Sequence, residues 1–117
     1  IIPELEAYHE RLGSVTIERL PYEKLIPAYD RPGTLFFIDS PYLRTENYYG
    51  PGMFSRGDFE RLAGLLAGLT GSFILTINDC PETRAIFRQF RVSSRDLHYR
   101  ARGCAKKVRE LIVQSRL

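Results

Sequence analysis

The stretch that decides the fold is Leu35-Phe36-Phe37-Ile38, followed directly by Asp39-Ser40-Pro41-Tyr42. The first four residues form a continuous apolar run, which predicts a strand buried on both faces. The next four put a carboxylate, a proline turn and an aromatic ring at the end of that strand. Open α/β sheets bind their ligands at the carboxyl ends of their strands, although such a turn can also simply close a strand. The stretch therefore predicts a sheet protein with a candidate site at residues 39–42.

A second apolar run also ends in polar residues. Phe73-Ile74-Leu75-Thr76-Ile77 is followed by Asn78-Asp79-Cys80-Pro81. Between the two runs, apolar residues at helical spacing predict a helix over 58–69, with Ser55 as its amino-terminal cap. A helix that connects two buried strands favours parallel neighbours, so both polar ends are expected at one edge of the sheet. Together they would form a cleft suited to a planar, hydrogen-bonding substrate.

Shorter elements are expected along the rest of the chain: a helix at 3–12, a strand at 15–17, a brief helix within 18–29, a helix at 82–90, and strands at 91–97 and 108–114 joined by an irregular segment. The alternation of strands and helices predicts an α/β fold with a mostly parallel sheet. The last two strands have no helix between them. They therefore suggest one antiparallel edge strand near the carboxyl terminus.

Length and composition describe a single ordinary globular domain spanning 1–117. Hydrophobic residues make up 44% and charged residues 26% of the chain. No apolar stretch approaches the roughly 20 residues of a membrane-spanning helix, and residues 1–6 lack the pattern of a secretory signal. We therefore expect a cytoplasmic protein without a membrane segment, in which Cys80 and Cys104 are reduced thiols.

The positive charge is concentrated late in the sequence. From residue 82 onward there are ten basic residues and three acidic ones, although the net charge of the chain is only +3. This charge can be a solvated surface or a patch that faces phosphate groups, and charge alone does not decide between the two.

The sequence lacks the motifs of several common kinds of catalytic and binding site. There is no glycine-rich loop ending in Gly-Lys-Ser/Thr and no Gly-x-Gly-x-x-Gly after a strand. His9 and His98 have no metal-binding partners at ligand spacing, so no metal site is expected. Ser40 is not flanked by the glycines of a nucleophile elbow. A hydrolase that pairs the carboxylates of Asp39 and Asp79 remains an alternative.

Residues 36–42 resemble the motif of the Dam-type DNA adenine methyltransferases, in which Asp-Pro-Pro-Tyr follows a buried strand. The tyrosine-rich stretch 43–54, the 58–69 helix, the run 73–79 and the closing segment 102–111 follow the order and approximate spacing of that family. The resemblance covers roughly residues 15–117. It implies a partial Rossmann-like methyltransferase fold with an antiparallel strand near the carboxyl terminus.

The resemblance also implies a function: transfer of a methyl group from S-adenosylmethionine to the N6 atom of adenine in double-stranded DNA, after the base has been flipped out of the duplex. The catalytic residues would be Asp39, Ser40, Pro41 and Tyr42. The Asp39 side chain and the Ser40 carbonyl would accept hydrogen bonds from the two N–H groups of the amino group, and Tyr42 would stack on the base. Asp39 would also border the cofactor. DNA phosphates would meet Arg100, Arg102, Lys106 and Lys107.

Two departures from the family pattern stand out. Ser40 occupies a position where the family has proline. The Phe-x-Gly-x-Gly-like loop that holds the cofactor and the helical region that reads the target sequence do not occur in these 117 residues, which begin at Ile1. We therefore expect the carboxyl-terminal part of such an enzyme, and whether it is active by itself stays open. The alternatives are a catalytically inactive remnant that binds DNA and a homo-oligomer in which a neighbour covers an exposed sheet edge.

Overall fold

The computed structural model describes residues 2–43, 54–101 and 103–116, without the side chains at 99, 101 and 104–106. The elements in chain order are α1 (Ile2–Leu12), α2 (Tyr22–Tyr29), β1 (Leu35–Asp39), α3 (Arg56–Ala67), β2 (Ser72–Asn78), α4 (Pro81–Ile86), β3 (Arg91–Ala101) and β4 (Cys104–Gln114). Most of the tyrosine-rich stretch 43–54 lies outside the described residues. No helix in the described part of the chain is long and apolar enough to cross a membrane.

The four strands form one sheet in the order β1-β2-β4-β3. β1 and β2 are parallel neighbours, as the sequence predicted, whereas β4 runs antiparallel to both β2 and β3. The predicted α/β class and the antiparallel strand near the carboxyl terminus are confirmed. The prediction of a mostly parallel sheet is wrong, because in the described chain only one of the three strand pairs is parallel.

The antiparallel strand also lies inside the sheet and not at its edge. A tight turn between β3 and β4 forces the two strands to pair in opposite directions. Leu111 and Val113 of β4 are fully buried, while β3 exposes most of its side chains. The more apolar strand therefore takes the position beside β2, and β3 becomes the edge.

Two local predictions were wrong. Residues 15–17 form no strand, since Val15 and Ile17 are 47% and 79% exposed and have no strand beside them to pair with. The segment predicted to be irregular instead continues the hairpin, with Ala101 paired to Cys104. Gly103 closes this hairpin with a φ of 77°, in the left-handed region that glycine adopts without strain.

One face of the sheet carries the hydrophobic core. Phe36, Phe73 and Leu75 of β1 and β2 are buried in one cluster with Phe59 and Leu62 of α3. The opposite face is open at β1, where Leu35 and Phe37 are 61% and 69% exposed. Strand β1 is thus buried on one face only, which differs from the two-sided burial expected from its sequence.

Helix α3 begins as predicted. The Ser55 hydroxyl accepts a hydrogen bond from the Asp58 amide, and the Asp58 carboxylate accepts one from the Ser55 amide at 2.7 Å. This reciprocal pair satisfies two amides that the first helical turn leaves without partners. The cap fixes where the connection between β1 and β2 becomes helical.

Asp30 lies at the end of the sheet where β1 and β2 begin. Its carboxylate accepts hydrogen bonds from the amides of Thr70 and Gly71, at 2.9 and 2.8 Å, and these bonds lower the pKa of Asp30. A Cβ atom at Gly71 would lie 2.5 Å from the Thr34 carbonyl oxygen, so only glycine fits there. These hydrogen bonds connect the end of α2 to the residues just before β2.

Candidate active site at the carboxyl ends of β1 and β2

Asp39 is the last residue of β1, and its carboxylate is exposed. It pairs in register with Thr76 of β2, whose hydroxyl donates a hydrogen bond to Asp39 Oδ1 at 3.0 Å. No second side-chain hydrogen bond to this carboxylate is found within the described ranges. The Asp39 carboxylate is therefore oriented by its hydrogen bond from Thr76 and is accessible to a ligand.

Ser40 is buried at 8% exposure, directly behind Asp39. Its amide and its hydroxyl both donate to the Thr76 carbonyl oxygen, at 3.3 and 2.6 Å. A proline at this position would supply neither donor. Ser40 therefore fastens the backbone after β1 to β2, a role that sequence reasoning missed.

The segment after Pro41 is tied to two strands. The Tyr42 hydroxyl donates to Glu110 Oε1 of β4 at 3.1 Å. The Leu43 amide donates to Asn78 Oδ1 at 2.7 Å, and Asn78 Nδ2 donates to the Leu43 carbonyl at 3.2 Å. Asn78 was expected near the first strand end, because it closes the neighbouring strand. No local sequence pattern predicted Glu110 at this site, because its partner Tyr42 lies 68 positions away.

Asp79 has a different environment. Its side chain is 6% exposed and accepts hydrogen bonds from Arg84 Nε at 2.6 Å and from Ser94 Oγ at 2.6 Å. The bonds from Arg84 hold the pKa of Asp79 below its ordinary value, burial opposes this effect, and the Ser94 bond adds to it. A buried carboxylate with these partners stays ionised and joins α4 to β3.

Asp39 and Asp79 lie on opposite faces of the sheet. Asp39 shares its face with Thr76. Ser94, which binds Asp79, pairs with Leu111, and Leu111 pairs with Ile77 on the other face of β2. Successive side chains of a strand point to opposite faces. The geometry therefore gives no support to a hydrolase that shares a proton between these two carboxylates.

Three of the four predicted DNA-contacting residues lie on β3 and β4: Arg100, Lys106 and Lys107. Arg100 is exposed on β3, and Lys107 is exposed on β4, where its ammonium group lies 3.3 Å from Asp96 Oδ2. Arg102 and the side chain of Lys106 lie outside the described part of the structure. Hairpin residues that the sequence reading did not single out as contacts include Arg109, whose guanidinium lies 3.3 Å from Asp96 Oδ1.

No group of three or more His, Cys, Asp or Glu side chains in the described ranges is placed to hold a metal ion. Cys80 is a free thiol, half-buried at the start of α4. Its amide donates to the Thr83 hydroxyl at 3.1 Å, so this residue helps to begin α4. Nothing about its surroundings connects it to the exposed carboxylate of Asp39.

No protein-family model matches this chain, and no curated protein matches it. Any functional conclusion therefore has to rest on the residues themselves and on the geometry described above.

Proposed function

We propose that this chain carries the catalytic stretch of an S-adenosylmethionine-dependent DNA adenine N6-methyltransferase. The observation that carries the proposal is the exposed Asp39 carboxylate at the carboxyl end of β1, followed by a motif backbone that Ser40 fastens to β2. The parallel β1–β2 pair with its connecting helix, together with antiparallel β4, supports a partial Rossmann-like methyltransferase fold. Ligands of open α/β sheets bind at such strand ends.

The chemistry explains why acceptors are needed. The lone pair of the adenine amino nitrogen is delocalised into the ring, and a methylating site must localise it toward the methyl donor. The Asp39 carboxylate and the Ser40 carbonyl would accept hydrogen bonds from the two N–H groups of the amino group, which loses one proton when the bond to the methyl carbon forms. The hydrogen bond from Thr76 to Asp39 Oδ1 limits the orientations of that carboxylate. When bound, S-adenosylmethionine would supply the electrophilic methyl group, with Asp39 at the border of its site.

Tyr42 would provide the stacking surface for the flipped base. Its hydroxyl is held by Glu110, so its ring is positioned by a strand that is not its sequence neighbour. Stacking on an aromatic ring accepts any base, so the selectivity for an amino group would come from the two acceptors. The roles of Asp39 and Tyr42 are thus complementary.

A second candidate is a DNA-binding module that transfers no methyl group. It is favoured by the charge of the last part of the chain, since residues 91–116 hold eight basic residues and two acidic ones. Such a module would keep DNA affinity after substitution of Asp39 and would never have methylated the DNA. Both candidates would bind DNA through the same surface. They differ only in whether the residues at the carboxyl end of β1 support methyl transfer.

Location and assembly follow the same proposal. The cytoplasmic location that the sequence predicts is part of this proposal. Among the described strands β1 is an edge strand, and Leu35 and Phe37 are exposed on one of its faces, so a homo-oligomer that covers β1 is a further prediction. Light scattering on the purified protein tests it, and a strict monomer would contradict it.

The test is methyl transfer by the native-length protein. It is incubated with S-adenosylmethionine labelled on the methyl group and with a DNA duplex, after which the DNA is digested to nucleosides and separated. The control duplex carries hypoxanthine, which has no exocyclic amino group, at every adenine. We expect label in N6-methyl-2′-deoxyadenosine from the first duplex and none from the second. An absence of label in both would overturn the first candidate, and retained DNA binding would then favour the second.

A further inference from the structure

The hairpin of β3 and β4 extends well beyond the sheet. β2 pairs only with residues 110–114 of β4. Six further residue pairs, from Asp96 with Arg109 to Ala101 with Cys104, join β3 and β4 alone. At about 3.3 Å per residue this two-stranded extension is about 20 Å long. We call residues 96–101 and 104–109 the ribbon arm.

The two faces of the ribbon arm differ in character. Alternate residues share a face, so Asp96, His98 and Arg100 lie on the same side as Lys107 and Arg109. The opposite face holds Leu97, paired with Val108. Of the five basic residues in segment 96–109, Arg100, Lys107 and Arg109 belong to the face of Asp96, which is the one acidic residue of the segment. One face of the ribbon arm is therefore a row of exposed cations interrupted by a single carboxylate.

That carboxylate is bound to two of the cations. Asp96 lies 3.3 Å from the Lys107 ammonium and 3.3 Å from the Arg109 guanidinium, and all three side chains are 44–67% exposed. Exposed ion pairs contribute little to stability, because water screens the charges. A phosphate group that approaches this face can therefore replace Asp96 as the partner of Lys107 and Arg109 at little cost.

We propose that the ribbon arm is a docking surface for the sugar-phosphate backbone of duplex DNA, and that Asp96 restrains its affinity. Arg100, Lys107 and Arg109 contact phosphates, and Asp96 competes with the DNA for the last two. A two-stranded antiparallel ribbon is also of a size that the major groove admits. The choice of duplex DNA as the partner rests on the function proposed above, whereas the anion-binding surface rests on the hairpin alone.

The test is fluorescence anisotropy of a labelled random-sequence DNA duplex with the native-length protein, without S-adenosylmethionine, over a range of salt concentrations. We expect Arg100→Gln and Lys107→Gln each to weaken binding several-fold and to lower the slope of log affinity against log salt by about one. Asp96→Asn is expected to tighten binding several-fold. Arg56→Gln, which removes an exposed cation paired with Glu60 on α3, is the matched control and should change nothing.

The Asp96→Asn result is the decisive one, because a misfolded variant does not bind its ligand more tightly. Unchanged or weaker binding by Asp96→Asn, or equal losses in Arg56→Gln and Lys107→Gln, would overturn the proposal. Affinity for vesicles of anionic lipid in place of DNA would also overturn it. The readout needs no methyl transfer, so a protein that binds DNA through the arm but leaves it unmethylated would refute only the enzymatic function. If the protein methylates DNA and the ribbon-arm variants bind DNA like the wild type, only the proposed docking surface is refuted.

Discussion

The two parallel strands end in the same local pattern but in different environments. β1 ends at Asp39, which is followed by Ser40-Pro41, and β2 is followed by Asp79-Cys80-Pro81. Asp79 is nearly buried and bound by Arg84 and Ser94. Asp39 is exposed and accepts one described side-chain hydrogen bond, from Thr76. One carboxylate is part of the scaffold, and the other faces solvent.

The difference comes from what the chain supplies after each proline. Helix α4 begins at Pro81, so its Arg84 reaches back over five positions to Asp79, and β3 adds Ser94 from the same face. After Pro41 the chain instead turns Tyr42 toward Glu110. An aspartate at a strand end is thus structural or available according to the donors that later elements bring to it.

The largest expected effect is on activity. Asp39→Asn replaces a charged acceptor with a neutral amide, and we expect methyl transfer to fall by about 10²–10³-fold, as when one preorganised electrostatic contact is removed from an active site. Stability should be unchanged, because Asp39 is exposed. The measurement is the labelled-methyl assay, with Glu60→Gln on the surface of α3 as the control. Wild-type activity in Asp39→Asn would contradict the assignment.

Asp79→Asn is expected to lower stability, whereas Asp39→Asn lowers activity. It removes the charge that binds Arg84 and Ser94, and the free energy of unfolding should fall by about 2–3 kcal/mol, since hydrogen bonds to a charged group are among the stronger ones. Urea denaturation measures this loss. The matched comparison is Asp39→Asn, which alters the other strand end. Equal losses in the two variants would remove the distinction between the two carboxylates.

The lowered pKa of Asp79 also predicts that the free energy of unfolding depends on pH. The pKa of Asp79 is lower in the folded protein than its ordinary value of 3.8. The folded state therefore binds this proton less readily, and the stabilisation is complete above pH 3.8 and is lost as the pH falls through the folded pKa. Asp79→Asn should lack this part of the acid sensitivity in urea titrations at successive pH values. Identical pH profiles would show that Asp79 does not carry it.

Ser94→Ala should give a smaller effect of the same kind. It removes one donor to Asp79 while Arg84 remains, and a loss of about 1.5 kcal/mol is expected from the hydrogen bond to a charged acceptor. Ser93→Ala is the control, because Ser93 is exposed and its side chain lies on the other face of β3. A larger loss in Ser93→Ala than in Ser94→Ala would contradict the contact between Ser94 and Asp79.

The smallest effect is expected from Thr76→Val, which keeps the shape of the side chain and deletes the hydroxyl that steers Asp39. One hydrogen bond of about 1 kcal/mol corresponds to roughly a fivefold loss in the rate of methyl transfer. The free energy of unfolding should stay within about 0.5 kcal/mol of wild type. A loss of stability with full activity would show that Thr76 serves the sheet and not Asp39.

Local patterns predicted the elements that hold the candidate site. The apolar runs at 35–38 and 73–77 and the Ser55 cap of α3 were found as expected, because neighbouring residues determine them. The place of β4 between β2 and β3 was not predicted, since it depends on which strand buries more apolar surface. The Tyr42–Glu110 contact and the anchoring role of Ser40 depend on partners far away in the sequence, and no local signal announces them.

The most direct test is carbon-13 NMR of the side-chain carboxyl groups of Asp39 and Asp79 in the native-length protein. The protein is titrated with an adenine-containing DNA duplex in the presence of S-adenosylhomocysteine, the product left after methyl transfer. The Asp39 carboxyl resonance should shift until the protein is saturated, while that of Asp79 stays in place. A shift of Asp79 alone, or of neither residue, would contradict the assignment of the β1 end as the site.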